Sequence, residues 1–513
     1  MAADDRIHCC CVDHMQGFSP ADPAKLHPTE QEKLQFNNVE LSAQIRQETS
    51  DHVRNRMKTF TFFLLLVGGA LSNKVADSDV DFGNKVFWKV LESPLAQRNL
   101  VLSPYGVSSV LRMLQLGADG RTHMQMRAAL GYSVQDRGVP HIQRKLQKEL
   151  SSETALKVAN AVFVQRTLLL EKVYRRSFLK TFQQSIHQVD FTDPQMAVGV
   201  INHWVSDHTD GMISKFLHQD SINVQTQLLL LNAIHFQGKW KVPFDPKGTH
   251  ERLFHMANGS TVLVPMMQQT NRFSYGEFVT PDGVDYDVIE LPYQGDALGM
   301  LLLSPFQKDV PLSALIQHID NQVLKQWRKE MRPLSRQLIL PRFTISTETE
   351  LNGVLSDLGM NDMFSMLDAD FSKITVADEN LYVSKVLQKV KIEVNEEGTK
   401  GSAATAAIMY SRMAIEEVTL DRPFLFLVQH KPTGTVLFMG QQSYSESNVE
   451  NCFKKLPLGL VLSQMPRCYT APSSKIPQSQ ENLDILDICL VARSSILDVS
   501  QECKDLAVCC PPE

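Results

Sequence analysis

An alternating pattern of side chains predicts a β-strand over residues 386–394. The residues that recur at every second position are Val386, Gln388, Val390, Ile392 and Val394. Because successive side chains of a strand point to opposite faces, these five share one face of a sheet. The pattern therefore predicts a strand with one face on the protein core.

Continuous apolar runs predict further buried strands. These runs cover residues 156–164, 228–236, 338–345, 424–428 and 436–440. The last two are joined by Lys431-Pro-Thr-Gly434, which is typical of a turn between paired strands. Since helical patterns occupy the first third of residues 79–442, the sequence predicts an α+β protein with a large, mostly antiparallel sheet.

Residues 396–417 interrupt this regular pattern. The segment is long, consists mostly of small residues and contains no proline. Ordinary connections in compact domains have about 4–6 residues, so a stretch of this length indicates a functional loop. Composition alone leaves a flexible linker and an alanine-rich helix open as alternatives.

Composition places the chain among ordinary soluble globular proteins. Of its 513 residues 43% are hydrophobic and 21% charged, and the formal net charge is −6. A nucleic-acid binder usually shows a dominant basic footprint, so bulk charge argues against that class. Any binding site for a polyanion must therefore be a local group of basic residues.

All nine cysteines lie near the two ends of the chain. They are Cys9, Cys10, Cys11, Cys452, Cys468, Cys489, Cys503, Cys509 and Cys510. A core of several hundred residues is stable without disulfides, so the cysteine-free middle is predicted to be one self-sufficient domain. The cysteines lack the paired spacing of a structural zinc site, and we expect neither metal nor cofactor.

Residues 57–72 have the pattern of a secretory signal. A Met and one Lys precede an apolar run, and the small residues Ala70 and Ser72 follow, which predicts cleavage after Ser72. A buried helix or membrane anchor is the alternative, but a membrane span needs about 20 apolar residues. We therefore expect a secreted, extracellular protein, with residues 1–56 a disordered gene-model extension. Asn258-Gly-Ser260 is then a candidate glycosylation site.

No motif of a known enzyme class is found in the sequence. It contains no G-x-S-x-G elbow, no phosphate-binding G-x-x-x-x-G-K-[ST] and no H-E-x-x-H, and the 15 histidines show no metal spacing. We therefore expect a protein that is not an enzyme.

Residues Asp421–Val428, together with Gly434–Gly440, resemble the C-terminal signature of the serpin family. Further blocks match family motifs in the same order: Asn99–Ser109, Ala159-Asn160, Ile201–Val205, Thr209, Gly211, Leu231–Ala233 and Gly238–Trp240. The resemblance implies a large central mostly antiparallel β-sheet, smaller β-sheets, about nine helices and an exposed reactive-centre loop at 396–417. It assigns residues 73–442 to the serpin domain and leaves 443–513 as a disordered or mis-spliced extension.

The resemblance gives the long segment a role. It identifies a hinge in the residues Glu396, Glu397, Gly398, Thr399, Gly401, Ala403 and Ala404. The reactive bond then falls fourteen residues after Gly398, at Arg412–Met413. An arginine at that bond suits the acidic specificity pocket of trypsin-like proteases. The resemblance therefore implies an inhibitor that traps the protease which attacks Arg412.

Inhibition in this family requires the cut loop to insert into the main sheet as a strand. The residues that would face the core are Thr399, Gly401, Ala403, Thr405 and Ala407, all small or threonine. A bulky or charged residue there would carry a packing or desolvation cost of about 1–3 kcal/mol. The chain is therefore predicted to be inhibitory. Glycine at 401 stands where the family usually has alanine and is a poor strand former, so we expect somewhat slower insertion than with alanine.

The resemblance also marks a region where the sheet opens, formed by Ser103, Asn232, Gln388 and Trp240. Gln388 stands where the family commonly has histidine, and we expect Ser103 and Asn232 to lie beside it. The substitution matches the family's plasminogen activator inhibitors, in which the intact loop inserts spontaneously. A latent form is therefore a hypothesis for this chain.

Three surface sites follow from the resemblance. Glu416 and Glu417 match an acidic exosite for plasminogen activators, with a solvated charge pair as the alternative. Three further residues, Arg137, Arg144 and Lys148, match a glycosaminoglycan site, for which a solvated helix face is the alternative. Arg166 and Gln188 match a vitronectin site, but Arg175 and Arg176 stand where the family has an apolar pair.

The expected partners are urokinase-type and tissue-type plasminogen activators, and the expected effect is to restrain fibrinolysis. Within the family, the segments that resemble the plasminogen activator inhibitors are Phe163–Arg166, His187–Phe191, Pro265–Asn271, Thr280–Gly283 and Leu387–Asn395. We expect a monomer that binds neither nucleic acid nor membranes. The alternatives are a non-inhibitory serpin that acts as carrier or chaperone, and a hydrolase with an unrecognised triad.

Overall fold

In a computed structural model of the protein, the residues described are 74–92, 99–257, 259–376, 381–397 and 415–443. They form a helix over residues 74–91 (α1), eight further α-helices and fourteen strands. The helices are α2 (Pro104–Gln115), α3 (Gly120–Leu130), α4 (Val139–Ser151), α5 (Lys172–Phe182), α6 (Pro194–His208), α7 (Ser313–Ile316), α8 (Asn321–Glu330) and α9 (Asn352–Asp357). Within these ranges no helix is both long enough and apolar enough to cross a bilayer.

The strands form two sheets. They are β1 (Leu100–Leu102), β2 (Leu156–Gln165), β3 (His187–Val189), β4 (Leu228–Phe236), β5 (His250–His255), β6 (Thr261–Val279), β7 (Asp285–Pro292), β8 (Leu298–Pro305), β9 (Arg332–Pro341), β10 (Phe343–Glu350), β11 (Lys385–Val394), β12 (Glu416–Thr419), β13 (Phe424–His430) and β14 (Thr435–Gln442). The larger sheet has the order β1-β14-β13-β8-β7-β6-β9-β12, with β5 paired to β6, and the second has the order β10-β11-β4-β2-β3.

The five-stranded sheet contains the strand predicted from the alternating pattern. In β11 the side chains of Val386, Gln388, Val390, Ile392 and Val394 are all buried, whereas the residues between them are mostly half-exposed. Its neighbour β4 is buried at every position, as expected for a continuous apolar run. The sheet therefore lies in the core, and its pairs β4·β11 and β2·β3 are parallel.

The prediction of one strand over residues 338–345 is wrong. The run is divided at Arg342 between the end of β9 and the start of β10, which belong to different sheets. Pro341 has no N–H to continue a ladder, and the Arg342 N–H instead donates to the Pro265 carbonyl at 2.9 Å. Both halves are apolar because each is buried in a hydrophobic core. The apolar run therefore does not show that the chain passes from one sheet to the other at this point.

The hairpin of β13 and β14 is confirmed and carries one steric requirement. The turn ends at Gly434, whose φ is 78°, a backbone conformation that favours glycine. A Cβ added to Gly440 would lie 2.3 Å from Phe426 Cζ and 2.6 Å from the Leu100 carbonyl oxygen. Glycine at 440 therefore allows β1 and β14 to pair beside the Phe426 ring.

The acidic stretch at residues 77–81 supplies a buried ion pair. Asp79 of α1 lies 2.8 Å from the Arg112 guanidinium of α2, and Tyr132 donates to Asp79 at 2.6 Å. All three side chains are buried, and burial raises the pKa of the Tyr132 hydroxyl well above its usual range. A buried charge needs such partners, so this cluster ties α1 to α2 and to the segment after α3.

Several predicted segments lie outside the described residues. These are the signal at 57–72 with residues 1–56, the extension after Ser443, and Asn258, which falls between β5 and β6. The predictions for them remain predictions.

Candidate functional site

The seam between β4 and β11 is the central feature of the candidate site. The two strands pair in parallel from Lys385 opposite Leu229 to Ile392 opposite Phe236. The chain leaves β11 at the end of this seam and returns at β12 in the other sheet, with residues 398–414 between them outside the described ranges. A strand entering the seam from the end of β11 would run antiparallel to both neighbours.

A row of three amide side chains crosses the sheet at the middle of the seam. Gln388 of β11, Asn232 of β4 and Asn160 of β2 are direct register partners. Gln388 Nε2 donates to Asn232 Oδ1 at 2.6 Å, and Asn232 Nδ2 donates to Asn160 Oδ1 at 2.5 Å. Separation of β4 from β11 would break the first of these side-chain bonds, whereas the second joins β4 to β2 and would remain. We call Asn160, Asn232 and Gln388 the amide row.

Ser103 holds the amide row from the α2 side. Its backbone N–H donates to Gln388 Oε1 at 2.9 Å, and its carbonyl accepts from Gln388 Nε2 at 3.0 Å. Its hydroxyl caps α2 by accepting from the Gly106 N–H at 3.0 Å and donates to the Leu437 carbonyl at 2.6 Å. Ser103, Asn232 and Gln388 therefore lie together, at hydrogen-bonding distance.

Gly106 is a residue of this site that sequence reasoning missed. A Cβ at this position would lie 2.1 Å from Asn232 Oδ1. The first turn of α2 therefore packs directly on the amide row because residue 106 has no side chain. Its place at the start of a helix gives no hint of this contact, since the partner is distant in sequence.

A second contact crosses the seam on its other face, nearer the loop. His235 Nε2 of β4 lies 3.9 Å from Glu393 Oε1 of β11, and Lys391 is the register partner of His235. Burial lowers the pKa of His235, although Glu393 acts in the opposite direction. Since the folded state favours neutral His235, this residue contributes stability above its unfolded pKa of about 6.5, and the contribution is lost as pH falls.

Three residues anchor the chain where it leaves β11. Trp240 Nε1 donates to the Asn395 carbonyl at 2.7 Å, and its ring stacks on Tyr293 at 4.4 Å. Glu396 accepts from the Thr249 hydroxyl at 2.8 Å, and its carbonyl accepts from the Phe244 N–H at 2.9 Å. The start of the predicted hinge is therefore fixed at Glu396, while Glu397 is exposed.

Most predicted loop residues lie outside the described residues. They are Gly398, Thr399, Gly401, Ala403, Ala404, Arg412 and Met413. Their roles are taken up below as proposals.

The predicted exosite lies where the chain re-enters the fold. Glu416 and Glu417 begin β12 and are both exposed. Glu416 lies 2.7 Å from Arg336 of β9, and Arg336 also lies over the Tyr275 ring at 4.4 Å. Among the described residues Glu417 has no cation within ion-pair distance. The two carboxylates are therefore not equivalent, and Glu417 is the more available one.

The predicted glycosaminoglycan site lies on and just before α4. Arg144 and Lys148 are one turn apart on this helix, and Arg137 lies two residues before it.

The predicted vitronectin site lies at the ends of two strands. Arg166 follows β2, and Gln188 lies on β3 and donates to the Arg166 carbonyl at 3.3 Å. The structure thus places Arg166 and Gln188 side by side at an exposed surface.

Comparison with known proteins gives matches over most of the chain. The family model described as Serpin (serine protease inhibitor) matches residues 77–444. Plasminogen activator inhibitor 1 of Neovison vison is 49% identical over 371 residues, which are 72% of this chain and 92% of that protein. Glia-derived nexin of Homo sapiens is 44% identical over 363 residues, 70% of this chain and 90% of that one.

A solved structure shows the same fold. The crystal structure of native protease nexin-1 with heparin has a TM-score of 0.68 and 41% sequence identity, and the match covers 73% of this chain and all of that one.

Proposed function

Since this chain belongs to the serpin family of serine protease inhibitors, we propose that it traps trypsin-like proteases which attack its Arg412–Met413 bond. The proposed targets are the urokinase-type and tissue-type plasminogen activators, so that the protein restrains fibrinolysis. Family membership confirms the predicted serpin fold class and the prediction that the chain is not an enzyme.

The parallel seam between β4 and β11 carries the inhibitory part of the proposal. The other neighbours of these two strands, β2 and β10, pair with them in antiparallel fashion. A strand inserted from the β11 end would replace one parallel pair by two antiparallel pairs, which are slightly more stable per residue. This gain in pairing would favour insertion of the adjoining chain once β4 and β11 separate.

The chemistry begins as ordinary peptide cleavage. The serine hydroxyl of the protease attacks the Arg412 carbonyl, the Arg412–Met413 bond breaks, and Met413 leaves with a new amino group. Arg412 is then held to the protease as an ester. If the freed strand enters the seam before water hydrolyses that ester, the protease is carried along and remains attached.

The exosite supports the choice of targets. Glu417 is exposed at the start of β12, a few residues beyond the reactive bond. Glu416, in contrast, forms an ion pair with Arg336. Rim charges of this kind accelerate encounter with a partner of opposite charge. We propose that a basic surface of the plasminogen activators meets mainly Glu417.

The proposal is tested by mixing the protein with urokinase and analysing the mixture by denaturing gel electrophoresis. We expect a stable covalent complex whose mass is the sum of the protease and the inhibitor fragment ending at Arg412. Clean cleavage at Arg412 without complex would instead support the carrier or chaperone alternative. Turnover of a peptide substrate by the protein alone would support a hydrolase.

Latency is a further part of the proposal, and the amide row gives it a test. Replacing Gln388 by Leu removes its bond to Asn232 across the seam, while the backbone groups of Ser103 lose their partner. A buried hydrogen bond is worth about 1 kcal/mol net, so we expect the active half-life at body temperature to shorten about fivefold. The measurement is residual titre against urokinase over time, without vitronectin.

A matched control for this variant is Lys385→Gln. Lys385 also lies on β11, but its 2.9 Å ion pair is with Glu350 of β10, a pair that stays together when the seam opens. We expect its half-life to equal that of the wild type. If the wild-type protein keeps full titre throughout, the latency hypothesis is wrong.

We infer that α4 binds sulfated glycosaminoglycans through Arg137, Arg144 and Lys148. The solved structure of the related nexin-1 contains heparin, which supports this proposal. Binding of vitronectin at Arg166 and Gln188, secretion after cleavage at Ser72, and a glycan on Asn258 belong to the same proposal.

A further inference from the structure

Helix α5 presents a row of cations on its exposed face. Lys172, Arg176 and Lys180 stand four residues apart, and all three are exposed. The opposite face is buried through Tyr174, Phe178 and Phe182. With a rise of 1.5 Å per residue, the row from 172 to 180 is about 12 Å long.

These cations are not balanced by carboxylates. Among the described residues no acidic side chain lies within ion-pair distance of Lys172, Arg176 or Lys180, or of Arg175 beside them. Like charges four residues apart on a helix face lie side by side and repel one another. The helix thus bears a small cost that an anionic ligand would remove.

The row continues onto the neighbouring helix. Arg144 Nη1 of α4 donates to the Lys180 carbonyl at 3.3 Å, and Gln147 Nε2 donates to the Phe182 carbonyl at 3.0 Å. The last turn of α5 therefore lies against the half of α4 that carries Arg144 and Lys148. Like the α5 cations, these two have no carboxylate within ion-pair distance in the described part of the chain.

We propose that α5 is the second half of a sulfated-polysaccharide site whose first half is on α4. The inference rests on the proposed function of α4 and adds Lys172, Arg176 and Lys180 to it. A single file of cations along one helix, continued by a second helix, matches a linear chain of sulfate groups. Val173 and Leu179 are exposed on the same helix, so an anionic membrane is the competing ligand.

Heparin affinity chromatography of the full chain tests the inference with three double variants. Arg176→Ala/Lys180→Ala removes two charges from α5, and Arg144→Ala/Lys148→Ala removes two from α4. Lys308→Ala/Lys329→Ala is the matched control, because both residues are exposed, lack an ion pair among the described residues and lie outside the two helices. Retained titre against urokinase shows that each variant is folded.

We expect the α4 and α5 variants to elute at lower NaCl concentration than the wild type and the control. In a binding titration with heparin, the slope of log Kd against log [NaCl] should fall by about two for either variant, one unit per lost contact.

Each other outcome has a definite meaning. If the α4 variant binds more weakly but the α5 variant behaves as the wild type, α5 is not part of the site and the α4 proposal stands. If only the α5 variant weakens, the α4 proposal is wrong. If vesicles of phosphatidylcholine and phosphatidylserine compete for the α5 row more effectively than heparin, the ligand is a membrane and the inference is overturned.

Discussion

Replacing Ala403 by Glu is expected to convert the protein from a trap into a substrate of urokinase, whereas Ala404→Glu should leave it inhibitory. The two substitutions are chemically identical and concern adjacent residues. They differ only in the face of the sheet on which the side chain would lie after insertion, because successive residues of a strand face opposite ways.

The register of the described strands identifies these two environments. Trp240 holds the Asn395 carbonyl and Thr249 holds Glu396, so the turn into an inserted strand is expected over residues 395–398. Val390 would then face residue 403, and the β4 partner of Val390 is Ile234. Both side chains are fully buried, so a glutamate between them would be an unpaired charge in an apolar core.

Residue 404 would lie on the other face, between Lys389 and Ala233. Ala233 is buried, but Lys389 is partly exposed and its Nζ lies 3.1 Å from Glu348, so a carboxylate at residue 404 would have a cation within reach. Burying an unpaired polar group costs roughly 2–7 kcal/mol, depending on the reference state. At residue 403 this cost is enough to stall insertion while the acyl-enzyme hydrolyses.

The measurement is the number of inhibitor molecules consumed for each urokinase molecule trapped. We expect a value near that of the wild type for Ala404→Glu and an increase of about tenfold or more for Ala403→Glu, with cleaved inhibitor accumulating. Equal behaviour of the two variants would show that the loop does not enter the seam in this register.

The second large effect concerns the reactive bond. Arg412→Ala should slow complex formation with urokinase by roughly a hundredfold, because a buried carboxylate in the protease pocket loses its partner at a cost of about 2–5 kcal/mol. The association rate is measured by progress curves with a chromogenic substrate. Met413→Ala, on the leaving side of the bond, is the control and should change the rate only slightly.

The opposite result would identify another bait residue. If Arg412→Ala inhibits urokinase as fast as the wild type, cleavage occurs elsewhere, and sequencing the fragment released from the complex would locate it. The remaining basic residue within the loop, Lys400, would then be the first candidate.

The elements of the sheet could be predicted because burial is recorded in side-chain periodicity. The alternation in β11 and the continuous run of β4 gave both strands nearly to the residue. The crossing at Arg342 could not be predicted, because an apolar run is the same whether it serves one sheet or two. Local chemistry indicates a break at Pro341 without saying where the chain goes next.

The candidate site was predictable only through the resemblance to the serpin family. The resemblance marked Gln388, which stands where the family commonly has histidine, and placed Ser103 and Asn232 beside it. Gly106 and Tyr293 were missed, because their roles depend on a close approach and a ring contact between segments far apart in sequence. Such contacts have no periodicity that a sequence can show.

If the cut loop inserts as proposed, the parallel contact between β4 and β11 can be exchanged for a larger sheet only once. Each molecule would therefore trap at most one protease molecule, and the inhibitory capacity of a sample would equal the number of active molecules that remain in it. If Gln388, Asn232 and Ser103 set how long the seam stays closed, they also set the active half-life of the inhibitor when no protease is present. Capacity would then depend on the age of the molecules as well as on their number.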